Sequence, residues 1–141
     1  ENYSQLFERS KIPLAFYNSV IIASCTVLLT IVLGSMAAFI FQRRKSKISG
    51  FLFNLFMIGL VVPGNIIVTY YIIKLLGLYN TRLGAILVYV NGQLPITVFL
   101  YFGYFKSISK EIDESAIVDG ANIMTLFYRI IFPLVKPVSA T

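Results

Sequence analysis

Apolar and polar positions along this chain fall into blocks rather than alternating. Three stretches, Ile12–Gln42, Ile48–Ile73 and Leu83–Phe105, hold no charged residue. A helix rises about 1.5 Å per residue, so crossing about 30 Å of hydrocarbon takes roughly 20 mostly apolar residues. Each stretch is long enough. A single Lys or Asp at a helix centre costs about 2.5–3.5 kcal/mol on insertion, so charge-free runs of this length are selected. The pattern predicts an all-α, polytopic membrane helix bundle with spans at about 14–41, 48–73 and 83–105.

After Phe105 the pattern changes. Residues 106–120 carry four of the six acids. Ser109 is placed to cap a helix whose first turns hold Glu111, Asp113 and Glu114, where the helix dipole favours negative charge. Ile108, Ile112, Ser115 and Ala116 share one face of that helix, and Gly120 ends it. A second short helix is expected at 123–131, ending before Pro133, with a further apolar segment starting at about 134–141.

Composition agrees. The chain is 57% hydrophobic and 13% charged, with a mean hydropathy of +0.81. Soluble domains carry about 25% charged residues, so an ordinary soluble globule and a disordered chain are both excluded. The net charge of +6 comes from clusters. Arg43, Arg44, Lys45 and Lys47 lie between the first two runs, and Lys106 and Lys110 follow the third. Only Lys74 and Arg82 separate the second and third runs, while Arg9 and Lys11 precede the first. The positive-inside rule puts residues 42–47 and everything after Phe105 in the cytoplasm of a multi-pass membrane protein. The positive charge then faces lipid headgroups, and no nucleic acid is needed to explain it. Tyr70, Tyr71 and Tyr79 would mark the outer interface; Phe39, Phe41, Tyr101, Phe102, Tyr104 and Phe105 would mark the inner one.

One cysteine (Cys25) and no histidine leave no intrachain disulfide, no Cys/His metal site and no histidine chemistry. Glu1 and Thr141 read as the ends of an interior piece, so residues 1–141 are taken as part of one transmembrane domain.

Two spans are interrupted, at Val62-Pro63-Gly64-Asn65 and at Asn91-Gly92-Gln93-Leu94-Pro95, where both helices should kink or unwind. Freed backbone groups in lipid are tolerated only against protein or a watery cavity. Asn65, Thr69, Tyr89, Asn91 and Gln93 are therefore candidates for a substrate path. Neutral donors beside aromatic rings suit sugar hydroxyls better than ions. Serving the backbone of the broken helices is the other role open to these residues, and amino-acid or phosphate substrates also stay open.

The segment Glu114-Ser115-Ala116, three residues, Gly120, nine residues, Ile130, one residue, Phe132, Pro133 resembles the EAA loop of permease subunits of binding-protein-dependent ABC importers. Every spacing of that motif (Glu-Ala-Ala-x3-Gly-x9-Ile-x-Leu-Pro) is kept. Ser115 stands for an alanine and Phe132 for a leucine, and Ser109 sits where many sugar permeases carry proline. Tyr17–Ala23, Val62–Gly64 and Gly77–Thr81 resemble further parts of the family core. Asp119-Gly120-Ala121 and Ile130–Pro137 are similar to its carbohydrate-type, maltose-transporter-like branch.

The resemblance implies a permease subunit, not an enzyme. Glu114, Ser115, Ala116, Asp119, Gly120, Ile130 and Pro133 would seat a coupling helix in a groove of a cytoplasmic ABC ATPase dimer. ATP and Mg would be bound by that partner, since the chain has no Gly-x4-Gly-Lys-Ser/Thr run and needs no cofactor of its own. A second permease subunit and an extracytoplasmic substrate-binding protein would complete the importer in a bacterial-type plasma or inner membrane. The alternative class is an ion-driven secondary transporter or channel, which would favour charged groups inside the spans.

Overall fold

The computed structural model describes residues 12–62, 64–135 and Ser139. Arg9, Lys11, Pro63, Pro137 and most of the expected segment 134–141 lie outside the described residues. The described chain is all-α, a membrane helix bundle: α1 (Ile12–Arg43), α2 (Lys47–Val61), α3 (Ile66–Leu75), α4 (Arg82–Ser107), α5 (Lys110–Val118) and α6 (Ile123–Leu134). No strand occurs among the described residues.

Polar caps start each helix after the first. The side chains of Ser46, Asn65, Thr81, Ser109 and Asn122 accept hydrogen bonds from the backbone N–H groups of Ser49, Ile67, Gly84, Glu111 and Thr125 respectively. Each satisfies a donor that the first helical turn leaves orphaned.

α1 and α4 are long and apolar enough to cross a membrane. Their outer faces are exposed, with Leu28 at 64%, so the driving force for burial there comes from lipid and not from a closed core. The two helices run parallel, as successive contacts read Gly34 with Thr97, Phe39 with Phe105, and Arg43 with Ile108. α1 buries Thr26, Thr30, Gly34 and Ala38, an unbroken i, i+4 stripe of small residues. Small side chains let the backbones approach, and Gly34 is where this matters most. A Cβ there would stand 2.6 Å from Thr97 Cγ2. α2 runs antiparallel to α4, stacking Phe53 on Phe102 and laying Gly59 near Pro95.

The two expected interruptions behave differently. Between α2 and α3 the helix axes turn by 118°. α4, in contrast, runs unbroken from Arg82 through Pro95 to Ser107, so the expected unwinding at Asn91–Pro95 does not occur. Proline removes one hydrogen bond, and a helix gripped by α1 and α2 survives that loss.

The core sits at one end, where α1, α4, α5 and α6 converge. Ala38, Phe39, Val98, Tyr101, Phe105, Ala116, Leu126, Phe127, Ile131 and Val135 are buried together. This corrects the aromatic assignment: Phe39, Tyr101 and Phe105 are packed inside, not laid at the interface. Phe39 meets Phe105 edge-on with ring centroids 5.9 Å apart, and Tyr101 Oη lies 2.6 Å from Ser139 Oγ. Tyr70, Tyr71 and Tyr79 are exposed, and Tyr70 meets each of the other two edge-to-face.

α6 also departs from its expected end. Leu126–Ile131 is π-helical, and the helix continues through Pro133 to Leu134. Phe132 N–H donates to the carbonyl of Phe127, five residues back, so the hydrogen-bond register slips just before the proline.

Candidate functional site

α5 hangs from the end of α4 by a two-residue link. Ile108 is extended (φ −81°, ψ 125°), and Ser109 Oγ accepts from Glu111 N–H at 3.3 Å. At its other end Asp119 closes the helix and Gly120 turns left-handed at φ 84°. In that conformation Ala121 N–H reaches the carbonyl of Ala116 at 2.9 Å. Side chains rarely adopt this φ, which is the physical reason for glycine at this position.

The inward face of α5 differs from the stripe read off the sequence. Ala116 packs into the core, but its inward companion is Asp113, while Ile112 and Ser115 are exposed. Ser115 Oγ donates to the carbonyl of Glu111 at 2.8 Å, so this position spends its hydroxyl on its own helix. Asp113 faces Arg43 at the end of α1. Arg43 Nε lies 2.6 Å from Oδ2 and Nη2 donates to Oδ1 at 3.1 Å. Nη1 and Nη2 both point at the carbonyl of Ile108, at 3.4 Å. Burial pushes the Asp113 carboxyl above its ordinary value of 3.8, against the lowering pull of Arg43 and Lys110. Sequence reading missed this pair, because 70 residues separate its members and the acids looked like dipole partners.

The outward face carries Glu114, Ser115 and Asp119, all exposed. Beside it lies an open hollow of ≈ 430 Å³ whose lining includes Ile112, Ser115, Ala116, Asp119, Ala121 and Ile130. The structure thus brings Ser115, Ala116, Asp119 and Ile130 to one concave surface, while Glu114 and Gly120 do not line it. Pro133 stands apart, half-buried within α6.

The five candidate path residues separate into three groups. Asn65 and Thr69 serve the α3 cap: Asn65 Oδ1 accepts from Ile67 and Val68 N–H, and Thr69 Oγ1 donates to the carbonyl of Asn65 at 3.0 Å. Tyr89 and Gln93 line a hollow of ≈ 790 Å³ between α1 and α4, together with Thr26, Thr30 and Thr97. Asn91 is exposed elsewhere on α4 and does not line it. The hydroxyls of Thr26 and Thr30 are buried without a hydrogen-bond partner among the described residues. Their i, i+4 spacing inside a charge-free run was the signal that sequence reading passed over.

The described residues contain no group of three or more His, Cys, Asp or Glu able to hold a metal.

Residues 30–141 match the family described as binding-protein-dependent transport system inner membrane component. The chain belongs to this family. Inner membrane components of such transport systems are membrane proteins, in keeping with the apolar α1 and α4. The chain is 36% identical over 143 residues to the melibiose/raffinose/stachyose import permease protein of Bacillus subtilis, an alignment covering 99% of this chain and 52% of the relative. It is 32% identical over 142 residues to the trehalose/maltose transport system permease protein of Thermococcus litoralis, covering 97% and 51%. It is 31% identical over 139 residues to the diacetylchitobiose uptake system permease protein of Streptomyces coelicolor, covering 97% and 46%. The chain therefore spans about half the length of the curated relatives it matches. In this inner membrane component the α5 segment lies wholly within the matched region, as do α2, α3, α4 and α6.

Proposed function

We propose that this chain is part of a transmembrane permease subunit of an ATP-driven importer for a neutral sugar or oligosaccharide, coupled through α5 to a cytoplasmic ATPase. Family membership carries the reading: residues 30–141 match membrane components of binding-protein-dependent transport, and the relatives named above are sugar permeases. The shape of α5 supports it. A short capped helix, held inward by Asp113 and Ala116 and presenting Glu114, Ser115 and Asp119 outward, suits seating in a groove of a partner.

In this mechanism α5 docks on an ATPase dimer and passes its closure to α1 and α4. Ala116 packs the helix against the bundle and Gly120 permits the turn that ends it, while Glu114 and Asp119 meet polar or basic groups on the partner. Ile130 shapes the concave wall beside α5, and Pro133 fixes the start of the following segment. A substrate-binding protein delivers the sugar on the opposite side, and a second permease subunit completes the path. Parallel α1 and α4 require the connection through α2 and α3 to recross the membrane, which puts Arg43–Lys47 and α5 on one side. Arg43, Arg44, Lys45 and Lys47 on one link and Lys106 and Lys110 at the other favour the cytoplasm for that side, since acids count little in the positive-inside rule. Between the spans, Tyr89, Gln93, Thr26 and Thr30 offer neutral hydrogen-bonding groups to a polyhydroxy ligand.

The absence of charged side chains in α1 before Arg43, and in α4 between Arg82 and Lys106, weighs against ion-driven transport.

The test is native mass spectrometry of the intact parent protein from its own membrane, with uptake of labelled melibiose, maltose and trehalose in reconstituted vesicles. A co-purifying ATPase and ATP-dependent uptake are expected. Uptake that follows an ion gradient with no ATP would overturn the reading.

A further inference from the structure

Two breaks in helical backbone bound α5: extended Ile108 before it and left-handed Gly120 after it. A nine-residue helix hung between such points would pivot unless something braced it. Ala116 packs it against the core, and among the described residues one side chain ties it to α1 by hydrogen bonds. Arg43, at the last position of α1, grips both the hinge (the Ile108 carbonyl, 3.4 Å) and the body of the helix (Asp113, with Nη2 to Oδ1 at 3.1 Å). Both partners of this pair are close to nine-tenths buried, with side-chain exposures of 12% and 11%, so water does not screen it as it would a surface pair. It is the only ion pair among the described residues.

The structure assigns Arg43 and Asp113 a positioning role: they form the strut through which movement of α5 is delivered to α1. Arg43 continues the helix that carries the Thr26–Thr30–Gly34–Ala38 seam against α4. A push on α5 thus enters α1 at its tip and runs along that seam towards Tyr89 and Gln93. Arginine suits the task because its planar fork can hold a carboxylate and a carbonyl at once; lysine has one point charge to offer. Neither residue faces the outward surface of α5, so the strut can be altered without touching the docking face. This inference rests on the importer reading above and deepens it.

The experiment uses the full parent protein with its ATPase in vesicles. Arg43→Gln and Asp113→Asn should keep the ATPase bound and its basal hydrolysis intact. Sugar transported per ATP hydrolysed should fall about tenfold, the factor that corresponds to about 1.4 kcal/mol of lost coupling. Exchanging the two, Arg43→Asp with Asp113→Arg, should restore much of that ratio, which a general loss of packing would not allow. A ratio that stays unchanged in the single variants would overturn the strut. So would a fall that merely tracks loss of bound ATPase, or a folded exchange variant that restores nothing. A second arm needs no ATPase: amide hydrogen exchange over residues 110–118 of the parent protein should quicken about tenfold in Asp113→Asn. Unchanged exchange would overturn the strut by itself. Failure of the importer reading would show instead as an unaltered protein with no ATPase, and the exchange arm would still decide.

Discussion

Gly34 of α1 and Thr97 of α4 mark a tight approach of the two long helices: the space a Cβ would need at Gly34 is already held by the threonine methyl, 2.6 Å away. Thr97 cannot readily turn aside, because its hydroxyl donates to the carbonyl of Gln93 at 2.9 Å. Gly34→Leu should therefore force the helices apart and cost about 1–3 kcal/mol, with Gly34→Ala milder. Thermal unfolding of the parent protein in detergent measures it. A Leu variant as stable as the original would show that the contact is not close in the membrane.

Gly120 tests the other end of α5. Its φ of 84° is strained for any residue with a side chain, while the space around it is open. Gly120→Ala should cost about 1–2 kcal/mol of backbone strain with no clash. The expected result is fraying of α5 from its C-terminal end, seen as faster amide exchange at Ala121, whose N–H bonds to Ala116.

Asn65 separates two roles. As the cap of α3 it can be replaced by Asp or Ser, which offer an acceptor at the same place, whereas Ala should cost about 0.5–2 kcal/mol. Uptake that survives Asn65→Ser and drops with Asn65→Ala identifies a cap. Loss with both would identify a sugar contact.

Thr26 and Thr30 invite the opposite experiment. Their hydroxyls are buried without partners among the described residues, so Thr→Val at either site should leave stability unchanged or raise it. If the hollow beside them holds sugar, uptake affinity should fall even as the protein becomes no less stable.

Acid should loosen the Arg43–Asp113 pair without unfolding the bundle. Burial raises the folded carboxyl pKa above 3.8, with Arg43 from α1 and Lys110 on α5 opposing and Glu114 adding to the rise. The fold thus favours neutral Asp113, and that contribution is complete below 3.8 and lost as pH climbs through the folded value. The ion pair has the reverse dependence, since it needs the carboxylate. On acidification the pair should break while helix content holds, and the carboxyl carbon shift of Asp113 would report its midpoint. A midpoint below 3.8 would mean that the attraction of Arg43 outweighs burial.

Local chemistry was legible in the sequence wherever it acted locally. Charge-free runs announced α1 and α4, and Ser109 and Gly120 announced both ends of α5. What escaped was set by tertiary contact. Asp113 turns inward because Arg43 lies 70 residues away, and Phe39, Tyr101 and Phe105 form a core because α1 and α4 run parallel. Pro95 looked like a breaker, yet flanking helices hold α4 intact around it. The candidate path residues shared one polarity but not one place: Asn65 caps, Asn91 faces elsewhere, and only Tyr89 and Gln93 meet the buried threonines.

The π-helical stretch Leu126–Ile131 acts as a shim of one residue. An α-helix turns about 100° per residue, so excising a single position there would restore regular geometry locally and swing everything that follows by about that angle. Val135 would leave the core, and Ser139 would lose Tyr101. The apparent irregularity thus sets the heading of the chain as it leaves the α5 region, so the length between Gly120 and Pro133 carries structural information beside the buried Leu126, Phe127 and Ile131.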